Sequence, residues 1–150
     1  VHRDVSPRNI LISKNGHVRL CDFGVAKAVS SVVRTEIGAL KGKIQYMSPE
    51  QLRNAKDVDG RADVYAIGVI LYEALAGVPP FQGKFYDLVL KIVTEAPPPL
   101  TEHRMDLLPD LIAIVERAMS KKRGKRFSTL GVSMSVMGFV ETCPFFRRNL

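Results

Sequence analysis

The chain has 150 residues, 46% of them hydrophobic, which is the size of one domain and enough apolar material for a buried core. Its longest apolar run, Val64 to Ala76, contains Tyr72 and Glu73 and is too short to cross a bilayer, so we expect no membrane span. The net charge is +7, but apart from the stretch 121–126 the 22 basic residues are scattered, and we expect no nucleic-acid partner.

A β-hairpin is predicted near the start of the chain. Ile10-Leu11-Ile12 is a short apolar run, and Ser13 to Gly16 contains the Asn-Gly pair that favours turns between antiparallel strands. Val18 to Cys21 then alternates apolar and polar residues, with Cys21 expected as a buried strand residue. Cys21 and Cys143 lack the spacing of a metal site, and we expect two reduced thiols rather than a disulfide framework.

Polar side chains are expected together at the open end of this hairpin. Asn9 directly precedes the first strand, Asp22 directly follows the second, and Asp4 lies on the approach loop. An amide oxygen beside a carboxylate suits a hard divalent cation such as Mg²⁺, which takes oxygen ligands and keeps some positions for phosphate. The sequence therefore predicts a divalent-cation site at this end.

The spacing of these residues resembles the protein kinase catalytic domain. Asp4 to Asn9 keeps the D-x-x-x-x-N pattern and Asp22-Phe23-Gly24 keeps the D-F-G pattern, a specific combination that extends as a resemblance over roughly residues 1–140. The resemblance implies that Asp4 accepts the proton of the substrate hydroxyl and that ATP donates the phosphoryl group. It also implies that Asn9 and Asp22 hold Mg²⁺, or Mn²⁺ in its place. The alternative is that Asp4 and Asn9 cap a loop and that Asp22 ends a strand.

The fold implied by the resemblance is α+β and mainly helical, the C-terminal lobe of a protein kinase with a small β-hairpin at its active site. The Gly-rich loop, strand lysine and helix glutamate of the family's N-terminal lobe do not occur in the sequence, which begins inside a motif. We therefore expect a partial kinase domain over residues 1–141, with the N-lobe absent and 142–150 as a tail or the start of a linker. A cytoplasmic location is expected, and a membrane anchor elsewhere in the protein is left open.

The segment from Val25 to Met47 is predicted as a long loop, which corresponds to the activation segment in the family. Thr35 is its best candidate phosphoacceptor. Arg3 could pair with a loop phosphate and order the segment. The alternative, that Thr35 is an ordinary solvated loop residue, stays open.

Helices are predicted after this segment. Pro49 opens a short one. The helix from Arg61 to Ala76 is apolar nearly all round, which is typical of the centre of a domain, and it ends at Gly77. Apolar residues at helical spacing predict the remaining helices at Tyr86 to Glu95, Asp110 to Ser120 and 128–141.

The resemblance also assigns structural roles. Asp63, in the first turn of the central helix, would accept backbone hydrogen bonds from the catalytic loop and hold it in place. Arg126 would pair with Glu50, in the Ser48-Pro49-Glu50 stretch that stands at the family's A-P-E. His2 would pack against Phe23 and take no part in acid–base chemistry.

Two departures from the family pattern concern the charge at the site. The family usually has Lys two residues after the catalytic Asp, where this chain has Ser6, and Thr where this chain has Lys43. In the family these two positions face each other across the active site. The hypothesis is that Lys43 supplies the ammonium that the catalytic loop lacks and stabilises developing charge. The alternative is two independent losses and a weakened or silent enzyme.

The predicted function is an ATP-dependent protein serine/threonine kinase acting on a protein substrate. Pro7 and the stretch Gly42 to Gln51 favour Ser/Thr over Tyr specificity, since tyrosine kinases usually have Pro where Lys43 lies. Without an N-lobe, the chain alone is expected to be inactive. One alternative is a pseudokinase or scaffolding module, which the retained Asp4, Asn9 and Asp22 argue against. The other is a small-molecule phosphotransferase, which the Ser48-Pro49-Glu50 segment argues against.

Overall fold

A β-hairpin followed by helices forms the part of the chain that the computed structural model describes, residues 1–15, 17–21, 42–54 and 58–128. Three short 3₁₀ segments accompany them at Pro7–Asn9, Leu100–Glu102 and Arg123–Lys125. The mainly helical architecture with a small antiparallel sheet agrees with the predicted fold class. The regular elements are β1 (Ile10–Ile12), β2 (Val18–Leu20), α1 (Pro49–Arg53), α2 (Arg61–Ala76), α3 (Phe85–Thr94) and α4 (Pro109–Ala118).

Several predictions concern residues outside the described ranges. They are the D-F-G motif (Asp22, Phe23 and Gly24), the candidate phosphoacceptor Thr35, the predicted helix 128–141 beyond its first residue, and the tail 142–150. For these residues the sequence-based expectations stay predictions.

The predicted hairpin is present. β1 and β2 pair antiparallel, with Ile10 opposite Leu20 and Ile12 opposite Val18. The ladder ends there, because the chain before Ile10 turns into the 3₁₀ segment Pro7–Asn9. Cys21 consequently lies just beyond β2 and is half-buried, so its prediction as a buried strand residue was wrong.

Helix α2 is the centre of the fold. Almost every residue of it is buried, as its apolar composition predicts, and it ends at Gly77, which adopts a left-handed φ of 75°. Gly68 lets α4 approach closely, because a Cβ at this position would lie 2.9 Å from side-chain carbons of Ala118 and Met119. Many of the largest fully buried side chains belong to α2, namely Val64, Tyr65, Val69 and Tyr72, and others come from the elements after it, namely Leu88, Ile92, Leu100, Val115 and Met119.

Helix α1 begins with a capping box. The Ser48 hydroxyl accepts a hydrogen bond from the Gln51 amide, and the Gln51 side chain accepts one from the Ser48 amide. Pro49 occupies the first turn, as predicted. These contacts fix the start of α1 and therefore the position of Glu50 within it.

The ends of α3 and α4 differ from the prediction by one or two residues. α3 starts at Phe85 rather than Tyr86, and α4 starts at Pro109 and ends at Ala118 rather than spanning Asp110 to Ser120. Pro at the first helical position is favoured because its missing N–H would have no partner there. Apolar periodicity locates the buried face of a helix and carries little information about its ends.

Candidate active site

The loop that carries Asp4 is tied to the start of α2 by a buried carboxylate. Asp63 accepts the His2 amide at 2.7 Å on Oδ2 and the Arg3 amide at 2.8 Å on Oδ1. Asp63 is 3% exposed and lies in the first turn of α2, where the helix dipole favours a negative charge. The backbone contacts implied by the family resemblance are thus present, and they fix the loop one residue before Asp4.

Arg3 has the one positive φ angle, 62°, among the non-glycine residues that the structure describes. A left-handed conformation costs such a residue about 1–2 kcal/mol. Both of its backbone polar groups are held: the amide by Asp63, and the carbonyl by Gln51 Nε2 at 3.1 Å. The surrounding contacts therefore maintain a strained backbone next to Asp4, as is common at functional sites.

Asn9 lies at the open end of the hairpin, as predicted. Its amide nitrogen donates to the Asp4 carbonyl at 2.7 Å, and its own carbonyl accepts the Cys21 amide at 2.7 Å. The side-chain amide oxygen is thereby the atom that could coordinate a cation. Asp22, the second predicted ligand, directly follows Cys21 in the sequence but lies outside the described ranges.

The Asn9 amide oxygen fits the oxygen-ligand preference of Mg²⁺, which proteins typically hold with one or two side chains plus substrate phosphates. Within the described ranges, no group of three or more His, Cys, Asp or Glu side chains could hold a metal ion by itself.

Lys43 lies against Asp4. Its Nζ is 2.8 Å from Oδ2 of Asp4, and the two side chains are 48% and 36% exposed. The two residues thus lie in contact across the site. Ser6 is buried at the start of the 3₁₀ segment, and its hydroxyl does not cap that segment.

Lys43 lies in the turn 42–47, whose first three residues, 42–44, are helical. The Tyr46 amide donates to the Lys43 carbonyl at 3.3 Å, and the Met47 amide donates to the Ile44 carbonyl at 3.0 Å. Ile44 is 4% exposed and belongs to the core. The Tyr46 hydroxyl donates to Oε2 of Glu73 on α2 at 2.7 Å. This turn is therefore held by apolar packing of Ile44, Tyr46 and Met47 against the core and by one hydrogen bond to α2.

Sequence reasoning missed the role of Tyr46 and Glu73. Burial of the phenol and, next in size, its hydrogen bond to the Glu73 carboxylate raise the pKa of Tyr46 well above its ordinary value. The signal in the sequence was that Glu73 is the one charged residue in the apolar run Val64 to Ala76. A carboxylate in the middle of a buried helix needs a hydrogen-bond partner.

Arg126 and Glu50 form the predicted pair. The guanidinium donates from Nη1 to Oε1 at 2.6 Å and from Nη2 to Oε2 at 2.8 Å, a bidentate arrangement. Arg126 also donates to the carbonyls of Ser120 and Arg61, at 2.7 and 2.9 Å, and stacks over the Tyr65 ring. Burial acts to raise the pKa of Glu50, but the hydrogen bonds from Arg126 and the backbone outweigh it and hold that pKa below its ordinary value.

His2 is buried at 8% exposure, and its Nε2 lies 3.0 Å from the carbonyl oxygen of Cys21. This contact links the catalytic loop to the end of β2. The predicted contact of His2 with Phe23 lies outside the described ranges.

Among the described residues, no helix has the length and apolar character needed to cross a bilayer.

Comparison with known proteins gives the family. The sequence profile described as Protein kinase domain matches residues 1–136. The chain is 47% identical over 131 residues to "Tyrosine-protein kinase MasK" of Myxococcus xanthus, covering 86% of this chain and 20% of that protein. It is 42% identical over 132 residues to "Serine/threonine-protein kinase PknB" of Mycolicibacterium smegmatis, covering 86% of this chain and 21% of that protein.

A third relative covers a larger share of the chain. This is "Probable serine/threonine-protein kinase PknB" of Corynebacterium glutamicum, which is 39% identical over 145 residues, covering 92% of this chain and 22% of the relative. The chain spans about a fifth of the length of the curated relatives it matches. With the profile matching nearly its whole length, the chain belongs to the protein kinase family.

Proposed function

We propose that the chain is the C-terminal lobe of an ATP-dependent protein serine/threonine kinase, which transfers the γ-phosphoryl group of ATP to protein hydroxyls. The observation that carries the proposal is the placement of the Asp4 carboxylate. Its loop is fixed by two hydrogen bonds to Asp63, and an ammonium lies 2.8 Å from one of its oxygens. Phosphoryl transfer depends mainly on positioning and on neutralising charge, and this arrangement offers both.

In this proposal Asp4 orients the substrate hydroxyl and accepts its proton. Asn9, together with Asp22, would hold Mg²⁺ or Mn²⁺ against the phosphates of ATP. When bound, the metal ion neutralises charge on the phosphate oxygens. The hydrogen bond from the Asn9 amide nitrogen to the Asp4 carbonyl supports the assignment, because it connects the proposed base to the proposed ligand.

Lys43 would supply the positive charge that Ser6 does not. The ion pair with Asp4 supports an exchange of roles between the two positions, in which the cation reaches the site from the activation segment. Two independent losses would leave the same residues with no turnover. Measurement of kcat in the Lys43→Ala variant separates these two explanations.

The hairpin also has an apolar residue on its outer face. Leu11 is 56% exposed, whereas Ile10 and Ile12 on either side of it are half-buried and Ile10 packs against the core. The period of two in a strand puts Leu11 on the opposite face from its neighbours. We propose that either the base of ATP or a preceding lobe covers this side chain, and that the chain without such a lobe has no kinase activity.

The experiment is a phosphoryl-transfer assay on the protein that carries this chain together with an ATP-binding lobe, with Asp4→Asn as the matched control. Labelled phosphate should enter serine and threonine peptides and fall to background in Asp4→Asn. Phosphotyrosine as the main product would overturn the serine/threonine assignment and agree with the name of the Myxococcus relative. Equal, background-level labelling in both proteins, with ATP still bound, would favour a pseudokinase.

A further inference from the structure

The cation that faces Asp4 belongs to a segment separate from the catalytic loop. Lys43 and Tyr46 share one turn, in which the Tyr46 amide donates to the Lys43 carbonyl at 3.3 Å. The hydroxyl of the same tyrosine donates to Glu73 on α2 at 2.7 Å. A continuous set of contacts therefore runs from α2 through Tyr46 to the ammonium at Asp4.

The apolar and polar contacts that hold this turn differ in kind. Ile44 is buried in the core and holds the turn by apolar packing, which has little directional preference. The hydrogen bond between Tyr46 and Glu73 is directional and has a charged acceptor, which makes it stronger than a neutral one. Because burial and the carboxylate raise the pKa of Tyr46, its hydroxyl stays a donor at physiological pH. This bond is the contact that can set the orientation of the turn.

We propose that Tyr46 is a positioning residue for Lys43, and that its hydrogen bond to Glu73 holds the ammonium where the phosphoryl group is transferred. The inference rests on the proposed function of Lys43 and extends it to the residues that place the cation. A shift of this turn would withdraw the cation while Asp4 stays fixed by Asp63. The chemical step would thereby depend on the placement of the segment that carries Lys43.

A purely structural or substrate-binding role of Tyr46 has different consequences. If the turn only formed part of the peptide-binding surface, loss of the hydroxyl would raise the KM for the peptide. The same increase in peptide KM would then occur whether or not position 43 carries a cation. A positioning role lowers kcat instead, and only while Lys43 is there to be positioned.

A double-mutant cycle on Tyr46→Phe and Lys43→Ala tests this difference. In the protein with an ATP-binding lobe, Tyr46→Phe should lower kcat about tenfold, the order expected for a hydrogen bond to a charged group, with a nearly constant peptide KM. In the Lys43→Ala background, Tyr46→Phe should change kcat less than about twofold. Additive effects, or a change confined to KM, would overturn the inference. Glu73→Gln keeps an acceptor for the tyrosine hydroxyl, and it should retain more activity than Glu73→Ala.

A second measurement does not depend on turnover. Acetic anhydride labels accessible lysines, and mass spectrometry can compare Lys43 with the exposed Lys122 in the same sample. Tyr46→Phe should raise the labelling of Lys43 relative to Lys122, because the ammonium leaves Asp4 more often. An unchanged ratio would overturn the positioning role. Absence of phosphoryl transfer in the unsubstituted protein would contradict the proposed function instead, and the labelling ratio would still decide whether Tyr46 positions Lys43.

Discussion

Two ion pairs of this lobe have similar nitrogen–oxygen distances in opposite surroundings. Arg126 lies 2.6 Å from Glu50, and Lys43 lies 2.8 Å from Asp4. The side chains of the first pair are 0% and 17% exposed, whereas those of the second are 48% and 36% exposed. Arg126 also donates to two backbone carbonyls, so the rest of the fold determines its position.

This difference in exposure separates a structural pair from one that can change partner. Removing one side of a buried pair leaves a charge without compensation in a region of low dielectric constant. An exposed pair contributes about 0–1 kcal/mol to stability, because water screens both charges. Lys43 can therefore exchange the Asp4 carboxylate for a phosphate oxygen at little cost, while Arg126 stays with Glu50.

The largest expected effect comes from breaking the buried pair. Arg126→Met should lower the free energy of unfolding by about 3–5 kcal/mol, because Glu50 loses its partner. Denaturant unfolding of the protein that carries this chain measures this change. Arg123→Met is the matched control, since the pair of Arg123 with Asp59 at 3.6 Å is solvent-exposed and should be worth about 1 kcal/mol or less. Equal losses in the two variants would contradict the comparison.

The pH dependence of that loss identifies its cause. The pKa of Glu50 is depressed in the folded state, so the pair stabilises the fold fully above the ordinary value of 4.5. The contribution is lost as pH falls through the folded-state pKa. The deficit of Arg126→Met should accordingly be largest at neutral pH and shrink below pH 4.5. A deficit that does not vary with pH would point to lost packing around Tyr65 instead.

Breaking the exposed pair should reduce activity strongly and stability little. Lys43→Ala should lower kcat about a hundredfold or more, as expected for lost stabilisation of transition-state charge. The free energy of unfolding should change by less than about 1 kcal/mol. Transfer assays and denaturant unfolding on the same preparations measure both quantities.

Moving the cation provides the control. Ser6→Lys combined with Lys43→Thr puts the ammonium back on the catalytic loop and should recover part of the lost kcat. Unchanged turnover in Lys43→Ala would contradict the proposed exchange. If Lys43→Ala is inactive and the double variant recovers no kcat, the site requires the cation to come from the turn that carries Lys43.

The hairpin and the central helix could be predicted because each depends on local pattern. The Asn-Gly turn and the alternation of Val18 to Leu20 specify β1 and β2, and the continuous apolar run followed by Gly77 specifies α2. The contact between Glu50 and Arg126 came from the family resemblance. No periodicity connects two residues that far apart in sequence.

Contacts between segments that have no periodic pattern could not be predicted from the sequence. The left-handed φ of Arg3 follows from hydrogen bonds to Asp63 and Gln51, and propensity alone would disfavour it. The bond between Tyr46 and Glu73 joins an irregular turn to a helix. Each depends on tertiary geometry, which is also why such contacts concentrate at the candidate site.

The smallest effect concerns Lys121, whose ammonium lies near the same Tyr65 ring as the Arg126 guanidinium of the buried pair. Its Nζ donates to the Ile92 carbonyl at 2.6 Å and lies 4.2 Å from the centre of the Phe81 ring. Burial and, secondarily, the charge of Arg126 lower the pKa of Lys121 from 10.5 to about 8. Between pH 8 and 10 the unfolded chain therefore holds a proton that the folded chain has released. Stability should rise with pH across this window.

Above pH 10 the effect should reverse, because the raised pKa values of Tyr46 and Tyr65 keep protons on the folded chain that the unfolded chain loses. The free energy of unfolding, measured at a series of pH values, tests both the rise between pH 8 and 10 and the reversal above pH 10. Lys121→Met should flatten the rise between pH 8 and 10, while Lys122→Met, at an exposed neighbour, should preserve it. The same slope in Lys121→Met would mean that another group titrates there. Lys121 would then keep its proton through this window, and the buried cluster would hold a second cation beside Arg126.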